Sequence, residues 1–267
     1  MYNAKNLTLD LPDMQLDYIR FGKGEKSLIM IQGLNTRGIK GAAIPLAFMY
    51  RLFAKDYTVY LFDRRPNVCP GITARDMAAD IAAAMDALGL KDAAVFGVSQ
   101  GGMIAQYLAL DRPDLVGRMV LAVTLSRSND TLTEVITRWI GLAEENRMRE
   151  LIRDMAVRMY SDTYLKRYRL FMPLLTLLQK PKDVRRFSIL AKSCLTCDTY
   201  ESLSDITCPV LVLGGERDRI VTARASHEIA ERIGCGIHMY ENLGHAAYEE
   251  AKDFNRRVYD FLSEKQS

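Results

Sequence analysis

The chain has 267 residues, 49% hydrophobic and 26% charged, a composition that fits one compact α/β domain with room for an insertion. A formal charge of +3, with no basic tract longer than the pairs Arg64–Arg65 and Arg185–Arg186, argues against nucleic acid as a partner. No stretch reaches the roughly 18 apolar residues of a membrane span, "MYNAKNLTLDLPDMQ" holds no apolar signal core, and five scattered cysteines fit a reducing compartment, so a cytoplasmic protein with no membrane partner is expected.

The first segment, "LTLDLPDMQLDYIRFG", alternates apolar and polar residues around Pro12-Asp13, which predicts a β-hairpin ending in a turn at Gly22 to Gly24. The runs "SLIMIQG" and "YTVYLFD" follow, short and almost wholly apolar, as parallel strands buried on both faces are. Ala74 to Leu88 places Met77, Ile81, Ala84, Met85 and Leu88 at helical spacing behind a Thr73/Asp76 capping box and ahead of Gly89. The strand "DAAVFGV" then leads into Gln100 to Leu110, apolar nearly all round and stopped by Asp111-Arg112-Pro113, which predicts a buried helix. "RMVLAVTL" is the next strand.

From about Ser126 to Ser204 the pattern is helical throughout, with no buried-strand run. Residues 1–125 and 205–267 are therefore read as the core and 126–204 as an inserted helical lid over the carboxyl edge of the sheet. Its stripe of Trp139, Tyr160, Tyr164, Tyr168, Phe171 and Phe187, with Met148, Met155, Met159 and Met172, is expected to be mostly lid core, with some residues shown to a ligand. An apolar lid face is compatible with a homodimer but does not demand one. "CLTC" at Cys194 to Cys197 has the spacing of half a zinc site, but no second pair follows and no histidine is close in sequence, so no metal is expected. The strand "CPVLVLGG", a helix from Thr222 to Ile233 closed by Gly234, a strand at "CGIHMY" and a last helix from about Ala247 to Leu262 complete the chain. Strand and helix in alternation predict a doubly wound, mostly parallel α/β sheet.

"GVSQG", Gly97 to Gly101, sits between the strand "AAVF" and the helix "GMIAQYLAL". A serine held on so tight a strand-to-helix turn needs small residues two before and two after, and both are glycine. The turn lifts the Ser99 hydroxyl clear of the sheet, and the helix start favours negative charge beside it. A serine needs a base, and there are three histidines. His227 lies on a solvated helix face and His238 within a strand, whereas His245, in "NLGHAAYEE", occupies the loop after the last strand at the carboxyl edge. The orienting acid is expected in "GERDRIV", where Asp218 lies deeper in the loop than Glu216; Asp130, after the preceding strand, is the rival.

With these residues the chain resembles the α/β-hydrolase fold family, in the lidded single-domain branch of small esterases, cofactor-free haloperoxidases and carbon–carbon bond hydrolases. The likeness spans nearly the full length, through "GVSQGG", "TARDMAADIAAAMDALGL", "CPVLVLGGERDRIV" and "NLGHAAYEE". It implies that Ser99 attacks, His245 shuttles the proton, Asp218 orients the histidine, and the backbone N–H groups of Leu34 and Gln100 form an oxyanion hole. No cofactor is implied. In two places the chain departs from the family. Gln32-Gly33 stands where the family has His-Gly, a histidine that supports the loop, and both residues are candidates for substrate contact. "DRRPNVCPG" replaces the usual Arg-Gly tract, so a differently shaped loop is expected at Arg65 to Pro70. The expected function is a serine hydrolase working through an acyl-enzyme on a small ester. The same residues would serve a carbon–carbon hydrolase, lactonase or acyltransferase. A slow or non-catalytic ligand-binding receptor on this fold is the alternative of another class.

Overall fold

The structure, a computed structural model, describes residues 2–168 and 181–264. Eight strands form one sheet in the order β1-β2-β4-β3-β5-β6-β7-β8, and they are β1 Lys5–Leu11, β2 Met14–Gly22, β3 Lys26–Ile31, β4 Tyr57–Phe62, β5 Ala93–Val98, β6 Val116–Ala122, β7 Val210–Gly215 and β8 Gly236–Tyr240. The expected hairpin is present, with Leu9 opposite Leu16, and β2 runs antiparallel to β4. All other pairings are parallel, with Ile29 beside Val95 and Phe96 beside Val120. Each apolar run picked from the sequence is a strand, because a strand covered on both faces has no polar side to alternate with. Every residue of β5 is buried.

Helices cover both faces. Helix α1 (Ala43–Met49) has no clear periodic signature, since Ile44 and Phe48 stand exposed. Helix α2 (Ala74–Ala87) begins with the expected reciprocal cap: the Thr73 hydroxyl accepts from Asp76 N–H, and the Asp76 carboxylate accepts from Thr73 N–H at 2.8 Å. Helix α3 (Gln100–Asp111) packs Met103, Ile104 and Leu108 into one core with Ile81, Leu121 and Val212. On the opposite face Phe53, Phe96, Val120 and Phe254 form the second core. Burying one such large side chain contributes about 1.5–3 kcal/mol, so the two faces together set the position of β5 in the sheet's middle.

Between β6 and β7 lie α4 (Asp130–Glu144), α5 (Met148–Met159), α6 (Asp162–Tyr168) and α7 (Val184–Ser193), with 3₁₀ turns at Cys194–Thr196 and Tyr200–Asp205. Trp139 and Phe187 are buried, Met148, Met155 and Met159 pack partly buried against the same core, and Tyr160 stacks on Tyr164 at 4.6 Å between ring centres. Phe171 and Met172 lie outside the described residues. Val157 is the large apolar residue of this segment that stands exposed among the described residues. Cys194 and Cys197 are buried free thiols, and burial pushes each up to about 12.

After β7 comes α8 (Ala223–Ile233), closed by Gly234 in the left-handed region as the sequence predicts. The expected single terminal helix is two: α9 (Ala247–Glu250) and α10 (Phe254–Ser263), with Ala251 extended between them. The first turns Glu249 and Glu250 toward Tyr160 Oη (2.6 Å) and Ser161 N (2.8 Å), while the second lays Phe254, Val258 and Leu262 on the sheet. One straight helix does not serve both directions. Among the described residues no helix is long and apolar enough to cross a membrane.

Candidate active site

Ser99 follows β5 directly and takes φ +53° and ψ −120°, a backbone state that costs a non-glycine residue about 1–3 kcal/mol. Its N–H donates to Ala122 O at 2.8 Å, and its carbonyl accepts from Thr124 Oγ1 at 2.7 Å and from Gly102 N–H at 2.8 Å, so the surroundings hold the strained residue in place. The turn closes only over glycine. A Cβ on Gly97 would meet Gly101 O at 2.5 Å and Gly102 Cα at 2.8 Å, and one on Gly101 would run into the Ile31 carbonyl.

His245 sits in the loop between β8 and α9, and Asp218 in the loop after β7. The two loops are stitched by Arg217 N–H donating to Leu243 O at 3.0 Å, and the carbonyl at the end of α5 accepts from Ala246 N–H, Met159 O at 2.9 Å. His245 Nε2 lies 3.0 Å from Ser99 Oγ, and Nδ1 lies 2.8 Å from Asp218 Oδ2. The other oxygen, Asp218 Oδ1, accepts the N–H groups of Ile220 (2.8 Å) and Val221 (3.0 Å). A carboxylate accepts only, so the proton belongs on Nδ1 and the Nε2 lone pair faces the serine hydroxyl. Both side chains are buried, which keeps water from competing for these bonds.

The structure thus brings Ser99, His245 and Asp218 together and leaves the rivals apart. Asp130 is exposed in the first turn of α4. Glu216 faces His227 Nε2 at 3.5 Å on the surface. His238 lies against Tyr240 in β8, where burial lowers its pKa.

The loop after β3 runs alongside. A Cβ built on Gly33 would lie 3.2 Å from Ser99 Cβ and 3.7 Å from its Oγ, so this loop borders the serine. Among the described residues neither Leu34 N–H nor Gln100 N–H donates to another group. The Gln32 side chain makes no hydrogen bond among them either; its backbone carbonyl accepts from Arg64 Nη2 instead. Arg64, the first of the pair after β4, is the residue that sequence reasoning missed. It is 5% exposed and donates also to Gly33 O (3.1 Å) and Gln100 Oε1 (2.9 Å). A buried arginine has no periodic signature, and the replacement of the usual Arg-Gly tract by "DRRPNVCPG" is the one sequence sign of change here. Arg186 of α7 donates to Arg64 O at 3.1 Å and so ties the inserted segment to the same loop. Among the described residues no cluster of three metal-ligating side chains occurs.

The model of the α/β-hydrolase family matches residues 41–257, more than half of the chain. The chain belongs to the α/β-hydrolase family. It is 29% identical, over 94% of its own length and 92% of the relative's, to 2-hydroxy-6-oxononadienedioate/2-hydroxy-6-oxononatrienedioate hydrolase 2 of Pseudomonas putida. Among solved structures, an α/β hydrolase from a Medee basin deep-sea metagenome library superimposes with a TM-score of 0.86 at 19% identity, covering 98% of each chain. The enol-lactonase of Burkholderia xenovorans LB400 does so at 0.84 and 20% identity, over 97% of this chain and all of that one. The doubly wound sheet with its N-terminal hairpin is the α/β-hydrolase fold, and the protein is a hydrolase of that family.

Proposed function

We propose that the protein is a serine hydrolase that acts through an acyl-enzyme on a small-molecule ester or related acyl compound. The observation that carries the reading is the continuous chain of short contacts from Ser99 Oγ through His245 to Asp218, 3.0 and 2.8 Å long, on a strained strand-to-helix turn. His245 Nε2 takes the hydroxyl proton as Ser99 attacks the carbonyl carbon. Asp218 holds the ring in the one tautomer that can do so and stabilises the imidazolium that forms. The N–H groups of Leu34 and Gln100, unpartnered among the described residues, receive the oxyanion, and His245 then protonates the leaving group. Water, activated by the same histidine, releases the acyl group.

The inserted residues 126–204 form the lid of this reading, and the α7 end of it, bonded to Gln100 and Arg64, borders the site. A cytoplasmic location belongs to the same proposal and rests on the buried free thiols. A second reading, carbon–carbon bond hydrolysis with the same three residues, is favoured by the likeness to the Pseudomonas putida relative.

Steady-state turnover of p-nitrophenyl butyrate and of a 2-hydroxy-6-oxo-dienoate separates these readings, each against Ser99→Ala. Ester turnover that the variant loses supports the ester hydrolase. Turnover of the dienoate alone selects the carbon–carbon reading, and tight binding of either compound without turnover selects the receptor.

A further inference from the structure

Arg64 is an expensive residue. Taking a guanidinium out of water is costly unless a counter-charge or a full set of acceptors offsets it, and Arg64 is buried while, among the described residues, the neighbouring Asp63 carboxylate is paired with Arg186 instead. Arg64 Nε and Nη1 have no partner among those residues. The carboxylate whose charge acts on it, Asp63, is otherwise engaged: Oδ1 accepts Arg64 N–H at 2.8 Å and lies 3.8 Å from Arg186 Nη2, and Oδ2 accepts Ile39 N–H at 3.0 Å. Burial pushes the Arg64 guanidinium down to about 10, with Asp63 and Cys194 raising it and Arg186 lowering it, so it stays cationic at neutral pH.

What the guanidinium touches explains the expense. Gly33 C=O and Leu34 N–H are the two ends of one planar peptide unit. A cationic donor on the Gly33 oxygen, 3.1 Å away, fixes the tilt of that plane and polarises it, which makes the Leu34 N–H a stronger donor. The same nitrogen faces Gln100 Oε1 at 2.9 Å and the Gln32 carbonyl as well, so its two N–H bonds are shared among three oxygens that border the serine. From the other side Gln100 Nε2 donates to Leu190 O (2.7 Å) and Ser193 Oγ (3.0 Å) at the end of α7. Both residues whose backbone N–H groups would receive the oxyanion are therefore held by one cation.

We propose that Arg64 is the positioning residue of the oxyanion hole, tying the Gly33–Leu34 peptide to Gln100 and placing a buried positive charge beside the two donors. This rests on the serine-hydrolase reading above. It goes beyond that reading by assigning the buried cation to the transition state: the charge it answers develops on the substrate oxygen only as Ser99 attacks. Binding of the neutral substrate draws little on it.

The test compares wild type with Arg64→Met, which removes charge and fork, Arg64→Lys, which keeps the charge, and Gln100→Met, which keeps the backbone N–H but cuts the tether. The readouts are kcat and KM for p-nitrophenyl butyrate and the inhibition constant of phenylboronic acid, whose tetrahedral adduct on Ser99 sets an oxygen in the oxyanion position. Arg64→Met is expected to lower kcat by about 10²–10³ with KM within about threefold, and to weaken the boronate in proportion. Arg64→Lys falls between, and Gln100→Met loses about tenfold in kcat with KM held. A merely structural arginine would not move kcat and boronate affinity together at constant KM. Folded Arg64 variants with unchanged kcat overturn the proposal, as does a rise in KM alone, which would make Arg64 a ground-state substrate ligand. If neither Arg64 variant folds, Gln100→Met decides, and unchanged kcat and boronate affinity there overturn it. A wild type that turns over the ester and loses that activity in Ser99→Ala, with all other variants equal to it, sinks this inference alone; a wild type with neither turnover nor boronate binding sinks the reading it rests on as well.

Discussion

The two halves of the site are built in opposite ways. Ser99, His245 and Asp218 form a chain in which each polar atom faces a partner of the right kind, and the fold delivers them at the ends of β5, β8 and β7. Arg64, Gln100 and Arg186 form a cluster drawn from a strand end, the first residue of a helix and the inserted segment, with a buried cation and donors left over. Each residue of the first half sits where local chain rules mark it, at a strand end or in the loop after a strand, although Ser99 and His245 are 146 residues apart; the residues of the second half carry no such local mark. The difference teaches that, on the proposed reading, the sheet carries the proton-transfer groups, whereas the groups around the developing oxyanion also lean on the α7 end of the insertion.

If the sheet-borne half does the chemistry, breaking it has the largest effect. Ser99→Ala is expected to lower kcat by about a million-fold with the melting temperature essentially unchanged, measured by ester turnover and thermal unfolding of the same samples. Asp218→Asn keeps the size of the side chain but offers an N–H toward His245 Nδ1, which forces the wrong tautomer. A loss of about ten-thousand-fold in kcat follows, with KM little altered.

The α4–α5 end of the insertion, away from Gln100 and Arg64, answers in stability rather than in chemistry. Asp154 accepts from Trp139 Nε1 at 2.9 Å, from Arg138 Nε at 2.8 Å and from Arg158 Nε at 3.0 Å, and so pins α5 to α4. Asp154→Ala leaves the buried indole N–H unpaired and is expected to cost about 2 kcal/mol, read by urea unfolding. Burial raises the Asp154 pKa, but the bonds from Trp139 and Arg138 outweigh it and the net shift is downward. With the folded pKa below the unfolded one, this contribution is fully present above about pH 4 and is lost as the pH falls through the folded value. The wild-type advantage over Asp154→Ala should therefore shrink on titration below pH 4. An advantage that grew instead would contradict the assignment. The smallest effect is at α2, where Thr73→Ala removes the cap on Asp76 N–H and should cost about 1 kcal/mol with kcat unchanged.

The sequence carries the first half of the site almost whole. "GVSQG" between a strand and a helix points at Ser99 because only glycine lets that turn close. Three histidines make the base a matter of elimination, and position in the loop after β7 points to Asp218 over Glu216 with Asp130 as the rival; only the folded chain, where the Ile220 and Val221 amides hold Asp218, separates them. Apolar runs give every strand from β3 to β7, and capping residues give α2. What stays hidden is what depends on distant partners. Helix α1 exposes Ile44 and Phe48, the terminal helix breaks to satisfy Tyr160 and the sheet at once, and Arg64 reads as an ordinary surface charge until its neighbours are known.

The most direct test of the central claim is covalent. Wild type and Ser99→Ala are incubated with a fluorophosphonate probe, and the adduct is weighed on the intact protein and mapped by peptide mass. A single adduct on Ser99, absent from the variant and slowed by a competing small ester, is the predicted result. An unlabelled wild type, or equal labelling of both proteins, would contradict Ser99 as the nucleophile and the serine-hydrolase reading with it.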